Sequence, residues 1–291
     1  MLHDNKEEFL KILERTSAQT GFPLRLLEKD YYITTVLSKI KELSSDLVFK
    51  GGTCLSKIYY SYYRLNEDLD FTLLLPKGEV ARTIRRNVIQ PVKDSLKAVL
   101  KSIGMAVENI DRTGHNESTQ YIFYPKYESA VLGRAESIKL EIGLRFNPLL
   151  PAVKHKVNHK FLHPFTKEEL FDAGNVNCLA LKELVAEKLR VAATKEAIAA
   201  RDFYDLGYLL KSGFNLRDKE LMMLFKKKLE EDGFSLDLRK YSINLGRSDK
   251  EIAEMRDRIE DELFSVLTIE AQKAFDLQKT LVELNKVFAK T

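Results

Sequence analysis

The sequence has only two cysteines, Cys54 and Cys178, among its 291 residues. Two thiols are too few for a disulfide framework or a cysteine-ligated zinc centre, so two reduced thiols are expected. The opening MLHDNKEEFL holds no apolar core of signal-peptide length. No hydrophobic run approaches the roughly 18 residues of a membrane span. A soluble cytoplasmic protein with no membrane segment is therefore expected. Internal repeats and low-complexity segments are also missing. Charge of one sign is scarce too: 47 Lys and Arg stand against 43 Asp and Glu, a net +4. With 44% hydrophobic residues, that balance excludes disorder and leaves enough apolar surface for a real core. The small basic excess permits a polyanionic partner without demanding one.

All seven prolines lie at or before Pro164. The proline-free stretch 165–291, rich in Leu, Lys, Glu and Ala, predicts helix throughout. The first half is mixed. Asp4 is placed to cap a helix running through Arg15, with Glu7 as its capping-box partner. Pro23 suits the first turn of a second helix, where Ile33, Val36, Leu37, Ile40 and Leu43 recur at helical spacing. Leu47 to Phe49 predicts a short strand, followed by Lys50-Gly51-Gly52-Thr53, a helix from Thr53 to about Tyr63, and a strand from Leu69 to Leu75. Residues 78–103 carry Val80, Ile84, Val88, Val92, Leu96, Leu100 and Ile103, a long amphipathic helix that includes Pro91. Further strands are expected near 105–110, 119–124 and 137–145, and a loop-like stretch over 146–164. The fold class is α+β: a mixed sheet flanked by helices over 1–164, then an all-α helical bundle over 165–291.

The strongest chemical signal is Glu67-Asp68-Leu69-Asp70-Phe71-Thr72-Leu73. Strand side chains alternate, so Asp68, Asp70 and Thr72 share one face and the apolar residues share the other. Like charges at that spacing repel, whereas a divalent cation needs hard oxygen ligands and relieves the repulsion. Taken alone, the pair also reads as solvated surface charge. In Ser137-Ile138-Lys139-Leu140-Glu141-Ile142-Gly143-Leu144-Arg145, four apolar residues face one way and Glu141 sits centrally on the other. On a neighbouring strand, Glu141 would complete three carboxylates around one or two metal ions. Alone, it is equally an exposed Glu. Gly51-Gly52-Thr53, after a strand and opening a helix, offers backbone amides to an anion without a Cβ in the way. Ser56 and Lys57, one turn later, add a hydroxyl and a cation.

The order of glycine turn, DxD strand and later strand carboxylate resembles the nucleotidyltransferase superfamily. Glu28-Lys29-Asp30-Tyr31-Tyr32, Phe49-Lys50-Gly51-Gly52-Thr53-Cys54-Leu55-Ser56-Lys57 and Arg64-Leu65-Asn66-Glu67-Asp68-Leu69-Asp70-Phe71 resemble the AbiEii/AbiGii-type toxins of type IV toxin–antitoxin systems. Glu187-Lys188-Leu189 and Arg201-Asp202-Phe203-Tyr204-Asp205-Leu206 are similar to that family's later Lys and Asp motifs. Lys188 falls within an apolar stripe of Leu181, Leu184, Val185, Leu189 and Ala192, and Asp202 falls among Ile198, Phe203, Leu206 and Leu209. Charges in such stripes are costly unless paired or given to a site. Lys188 and Asp202 are thus either catalytic or a structural ion pair, with Lys182 and Asp205 weaker candidates.

The resemblance implies a nucleotidyltransferase in which Mg²⁺ is held by Asp68, Asp70 and Glu141. A nucleoside triphosphate (NTP) would lie over Gly51, Gly52, Thr53 and Ser56, with Lys57 or Lys188 neutralising the leaving pyrophosphate. It further implies transfer of a nucleoside monophosphate to the 3′ end of tRNA, and control by a cognate antitoxin protein. A small-molecule nucleotidyltransferase and a non-catalytic nucleotide-binding module are the alternatives. Ser56 also reads as a modification point, because a phosphate there would take the triphosphate's place. Arg82, Arg85, Arg86, Lys93, Lys97 and Lys101 along one helix, and Lys226-Lys227-Lys228, read either as a phosphate-backbone track or as solvated faces. His155, His159 and His163 read as surface histidines rather than a metal site. The tail 269–288 reads as a packing helix or an antitoxin contact.

Overall fold

The computed structural model describes residues 1–78, 80–194 and 199–288. The chain forms two compact units, Met1–Leu179 and Ala180–Thr291. The first begins with α1 (Lys6–Thr20), capped by Asn5, whose side chain accepts the Glu8 N–H at 3.2 Å. Asp4 does not serve as the cap, because it lies one residue too early and pairs with the chain's amino terminus. Helix α2 (Leu24–Leu43) is buried along most of its length and includes the charged Glu28 and Asp30. Strand β1 (Leu47–Lys50) leads into α3 (Gly51–Cys54), which continues as a wide helical turn through Tyr59. The helical run expected to reach Tyr63 stops there, since Ser61 and Tyr62 have φ of +47° and +71°.

Strand β2 (Asp68–Leu73) follows, then α4 (Arg82–Ser102), which contains Pro91 and buries Ile89, Val92, Leu96, Val99 and Leu100. Its buried stripe starts later than the sequence pattern suggests, and Ile84 is exposed. The strand expected at 105–110 is reduced to a single bridge between Ala106 and Lys126, and Ile110–Arg112 form a tight 3₁₀ turn. The remaining strands are β3 (Gly114–His115), β4 (Gln120–Phe123), β5 (Lys126–Glu128), β6 (Ala135–Ser137), β7 (Lys139–Gly143), β8 (Val153–Lys156) and β9 (Asn175–Cys178). Strands β5 and β6 pair as a hairpin, and the others form one mixed sheet in the order β3-β4-β7-β2-β1-β9-β8. Residues 165–179 therefore belong with the sheet: β9 runs parallel to β1, with Cys178 opposite Phe49. The boundary lies at Leu179 rather than 164, because β8 and β9 extend the sheet past the proline-containing loop.

The alternation in β2 and β7 gives this sheet two unlike faces. Leu69, Phe71 and Leu73 of β2, Leu140 and Ile142 of β7, and Tyr121 and Phe123 of β4 are all buried on one side. Phe49 and Phe71 meet there with ring centroids 5.1 Å apart. Burying each such ring contributes about 1.5–3 kcal/mol, which fixes strand register, since a one-residue slip would turn the acids into the core. The opposite face carries the polar residues.

The second unit is helical: α5 (Leu181–Thr194), α6 (Ala200–Lys211), α7 (Lys219–Glu231), α8 (Arg239–Gly246), α9 (Asp249–Glu262), α10 (Ile269–Ala274) and α11 (Leu277–Phe288). Helix α5 packs on α7 and α8, and α11 packs on α8 and α6. Leu277, Leu281, Leu284 and Val287 are buried, so the tail is a packing helix. Among the described residues, no helix is long and apolar enough to cross a membrane.

Candidate active site

The polar face of the sheet is built by register. Strand β2 runs parallel to β7 with Asp70 opposite Glu141 and Asp68 opposite Lys139, while antiparallel β1 sets Lys50 opposite Asp70. Paired residues in a sheet point to the same side, so Lys50, Asp70 and Glu141 form one row across three strands. Asp68 and Lys139 form the next. Strand β4 adds Gln120, opposite Gly143. Three carboxylates thus share this face, as the alternation predicts. The sequence reading missed Lys50, Lys139 and Gln120, although Lys139 lies two residues before Glu141 and the same alternation would have found it.

The neighbours push the two central carboxylates apart in acidity. Burial raises Asp70, and the negative charges of Glu141 and Asp68 raise it further, to about 6, against the pull of Lys50 and Lys139. Burial also acts to raise Glu141. It is outweighed by hydrogen bonds from Lys139 Nζ at 2.6 Å and Gln120 Nε2 at 2.6 Å, which hold Glu141 below its ordinary value. Glu141 is therefore ionised at neutral pH, whereas Asp70 keeps its proton to a higher pH than an ordinary carboxylate. An all-oxygen donor set carrying excess negative charge suits a hard divalent cation. Among the described residues, however, no group of three or more His, Cys, Asp or Glu side chains is arranged as a ready metal site.

The glycine turn touches this face directly. Gly51 has φ +76°, and a Cβ there would overlap the Asp70 carboxylate. At Gly52 a Cβ would come within 2.6 Å of the Arg64 guanidinium. Arg64 is 2% exposed and hydrogen-bonds Asn66 and the Leu65 carbonyl. Asn66 in turn donates to Ser56 Oγ at 2.5 Å, and Thr53 donates to the Asp68 carbonyl at 2.5 Å. The hydroxyls of Thr53 and Ser56 thus fasten the turn from within. What the turn offers outward is its first-turn N–H groups, which have no intrahelical partners. Ser56, expected at the triphosphate or as a modification point, is 1% exposed here.

A cavity of about 400 Å³ opens beside Glu141, lined by Lys50, Asn116, Thr119, Gln120 and Arg145 among others. Residues 36–280 match the family described as nucleotidyl transferase AbiEii toxin, type IV TA system. The chain belongs to this family. As a member, it is a nucleotidyltransferase of the toxin–antitoxin class. Similar solved structures include the MenT4 nucleotidyltransferase toxin of Mycobacterium tuberculosis, at 18% identity and TM-score 0.58, covering 96% of this chain and 98% of that one. Another is the JHP933 protein of Helicobacter pylori, at 18% identity and TM-score 0.53, covering 92% of each chain. At such identities these two establish a shared fold. No curated protein matches the sequence.

Several family motifs prove to be internal fastenings of this AbiEii member. Lys57 is not at the phosphate turn's surface: it is 1% exposed, donating to Asp30 Oδ1 at 2.8 Å, Thr34 Oγ1 at 2.7 Å and the Tyr62 hydroxyl. Burial pushes its ammonium down, with Asp30 opposing. The Glu28-Lys29-Asp30 run of α2 is a clamp with three arms. Glu28 accepts from Ser129 Oγ and the Ala130 N–H, Lys29 pairs with Glu67 at 3.1 Å, and Asp30 holds Lys57. The clamp thereby joins the segments entering β2 and leaving β1 and β5.

In the helical unit, Lys188 lies 2.7 Å from Asp202 Oδ1 and 2.8 Å from Asp205 Oδ2, and the Asp205 side chain is fully buried. Ile198, expected beside Asp202, lies outside the described residues. Lys182 pairs with Asp218 and Glu220. Lys228 is no part of a basic surface: it is buried, 2.8 Å from Glu183 and 3.4 Å from Glu187 and Glu231. Lys226 and Lys227 are exposed. His159, expected at the surface, is buried, stacks on Phe171 at 4.3 Å and bonds its carbonyl at 2.9 Å.

Proposed function

We propose that this protein transfers a nucleoside monophosphate from an NTP to the 3′ end of tRNA, as the toxin of a type IV toxin–antitoxin pair acting in the cytoplasm. The observation that carries the reading is the single row of Lys50, Asp70 and Glu141, with Asp68 beside it and Gly51 packed against Asp70. The triphosphate lies over the N–H groups of Gly51, Gly52 and Thr53, where backbone donors and a helix start favour anions. Asp68 and Asp70, with Glu141 adjacent, would hold Mg²⁺. Bound there, the ion would supply charge neutralisation for the transferring phosphoryl group. Glu141, kept ionised by Lys139 and Gln120, accepts the proton of the attacking hydroxyl. Lys50 faces the same row and opposes negative charge accumulating at the α-phosphate. Ser56, Lys57 and Arg64 support the turn from within. Lys188, paired with Asp202 and Asp205, fastens α5 to α6. A cognate antitoxin restrains the enzyme.

The test is a labelling assay. Purified protein with Mg²⁺ receives each α-labelled NTP in turn with bulk tRNA, beside Asp70→Asn. Label entering tRNA with the wild type and lost in the variant is the expected result. A nucleotide-dependent thermal shift with no label in RNA would turn the reading toward another acceptor.

A further inference from the structure

We infer that the cavity beside Glu141 is the acceptor's seat and takes the 3′-terminal nucleotide of a single RNA strand. The inference rests on the transfer reading above and adds where the acceptor lies and which residues hold it. In-line displacement puts the attacking oxygen opposite the leaving group. Pyrophosphate leaves at the glycine turn on β1. Across the sheet, β2 with the Asp pair comes next, then β7 with Glu141, then β4. The attacking hydroxyl must therefore arrive from the β7 and β4 side, where the cavity opens.

Its lining matches a nucleotide's chemistry. Arg145 provides a cation for a phosphodiester, while Asn116, Gln120 and Thr119 provide groups that both donate and accept, as a base edge and ribose hydroxyls require. About 400 Å³ lies within the ~300–1,000 Å³ range of small-ligand sites and suits one splayed nucleotide, not a duplex. The side chains are also wired to the site: Asn116 Nδ2 donates to Gln120 Oε1 at 3.1 Å, and Gln120 Nε2 donates to Glu141 at 2.6 Å. An occupant reorienting Asn116 would shift the carboxylate's own hydrogen bond. The rim is held under strain, since Asn116, Glu117 and Ser118 have φ of +47°, +54° and +66°. Three successive non-glycine residues in that region persist only where the surroundings enforce them. Helix α4 contacts this rim.

The test uses the full chain and an RNA oligonucleotide ending in 4-thiouridine, cross-linked by light and mapped by mass spectrometry. Cross-links within 114–124 or 143–146 are expected, and cross-links confined to other segments would overturn the inference. In parallel, Asn116→Gly and Arg145→Ala are each expected to raise KM for RNA about tenfold, with KM for NTP changed less than twofold and Arg145→Lys recovering part of the loss. A raised KM for NTP with an unchanged KM for RNA would make the cavity the nucleotide's seat and overturn the inference. Normal transfer by both variants would do so while leaving the transfer reading intact. Cross-links at the expected segments without any label transfer by the wild type would support the RNA seat and refute the transfer reading instead.

Discussion

Replacing Lys57 by methionine separates two accounts of a residue that stands in a phosphate-binding motif yet lies in the core. Methionine keeps the side-chain length and removes the charge. In the folded protein Lys57 is 1% exposed and Asp30 is 2% exposed, so Lys57→Met leaves a carboxylate buried without its cation. Breaking a buried pair this way costs about 3–5 kcal/mol. For a unit of this size about 2–4 °C is lost per kcal/mol, so the melting temperature should fall by roughly 6–20 °C. Urea denaturation of the full chain, followed by a probe of the sheet-containing unit, measures the loss directly. Adding Asp30→Leu removes the orphaned charge and should recover much of it, because apolar replacement of a buried pair is often neutral or stabilising. A single variant within about 0.5 kcal/mol of the parent, with KM for NTP raised tenfold, would refute the reasoning and return Lys57 to the phosphates.

Asp70→Asn should raise stability above pH 6 in the absence of divalent cations. Asp70 titrates at about 6 in the folded protein instead of 3.8, so the folded state binds the extra proton between those values and stability falls as pH rises through them. That interval converts to at most roughly 3 kcal/mol, and the advantage of Asn should vanish below pH 4. A pH series of melting curves with chelator checks this, and a pH-independent difference would count against it. Gly51→Ala puts a Cβ into the Asp70 carboxylate at a φ that strains any side chain by about 1–2 kcal/mol. Transfer should drop at least 100-fold in a protein that still folds, and activity within threefold of wild type would contradict the packing described. Lys188→Met strands the fully buried Asp205 and should destabilise the helical unit by about 3–5 kcal/mol. An unchanged melting curve with lost turnover would make Lys188 catalytic instead.

The period-two pattern made the working face of the sheet readable in advance. Asp68, Asp70 and Glu141 point away from an apolar set that could only be buried, which gave the side, whereas the pairing of β7 with β2 is seen only in the sheet. Fastenings across the chain were not readable that way. Lys57 finds Asp30 twenty-seven residues earlier, and Lys228 finds Glu183 on another helix. A spacing rule sees neighbours on one element only, so both looked like free cations. Strand β9 was missed because Asn175-Val176-Asn177-Cys178 carries little apolar signal of its own. It exists because β1 offers an edge. Gly51 looked like phosphate clearance alone, whereas the backbone there also makes room for Asp70.

The strand order has a bearing on how the protein comes into being on the ribosome. Strand β7 lies between β4 and β2, so Glu141 emerges 71 residues after Asp70, and β9, which covers the other side of β1, later still. At about 5–20 residues per second the delay between the two carboxylates is on the order of 4–14 s. Until then a nascent chain carries the glycine turn, both aspartates and, late in the interval, Asn116, Thr119 and Gln120 of the cavity, but not the third carboxylate. An interrupted translation product ending in that interval therefore lacks one carboxylate of the proposed site. The proposed site is complete only in chains that have nearly finished their sheet.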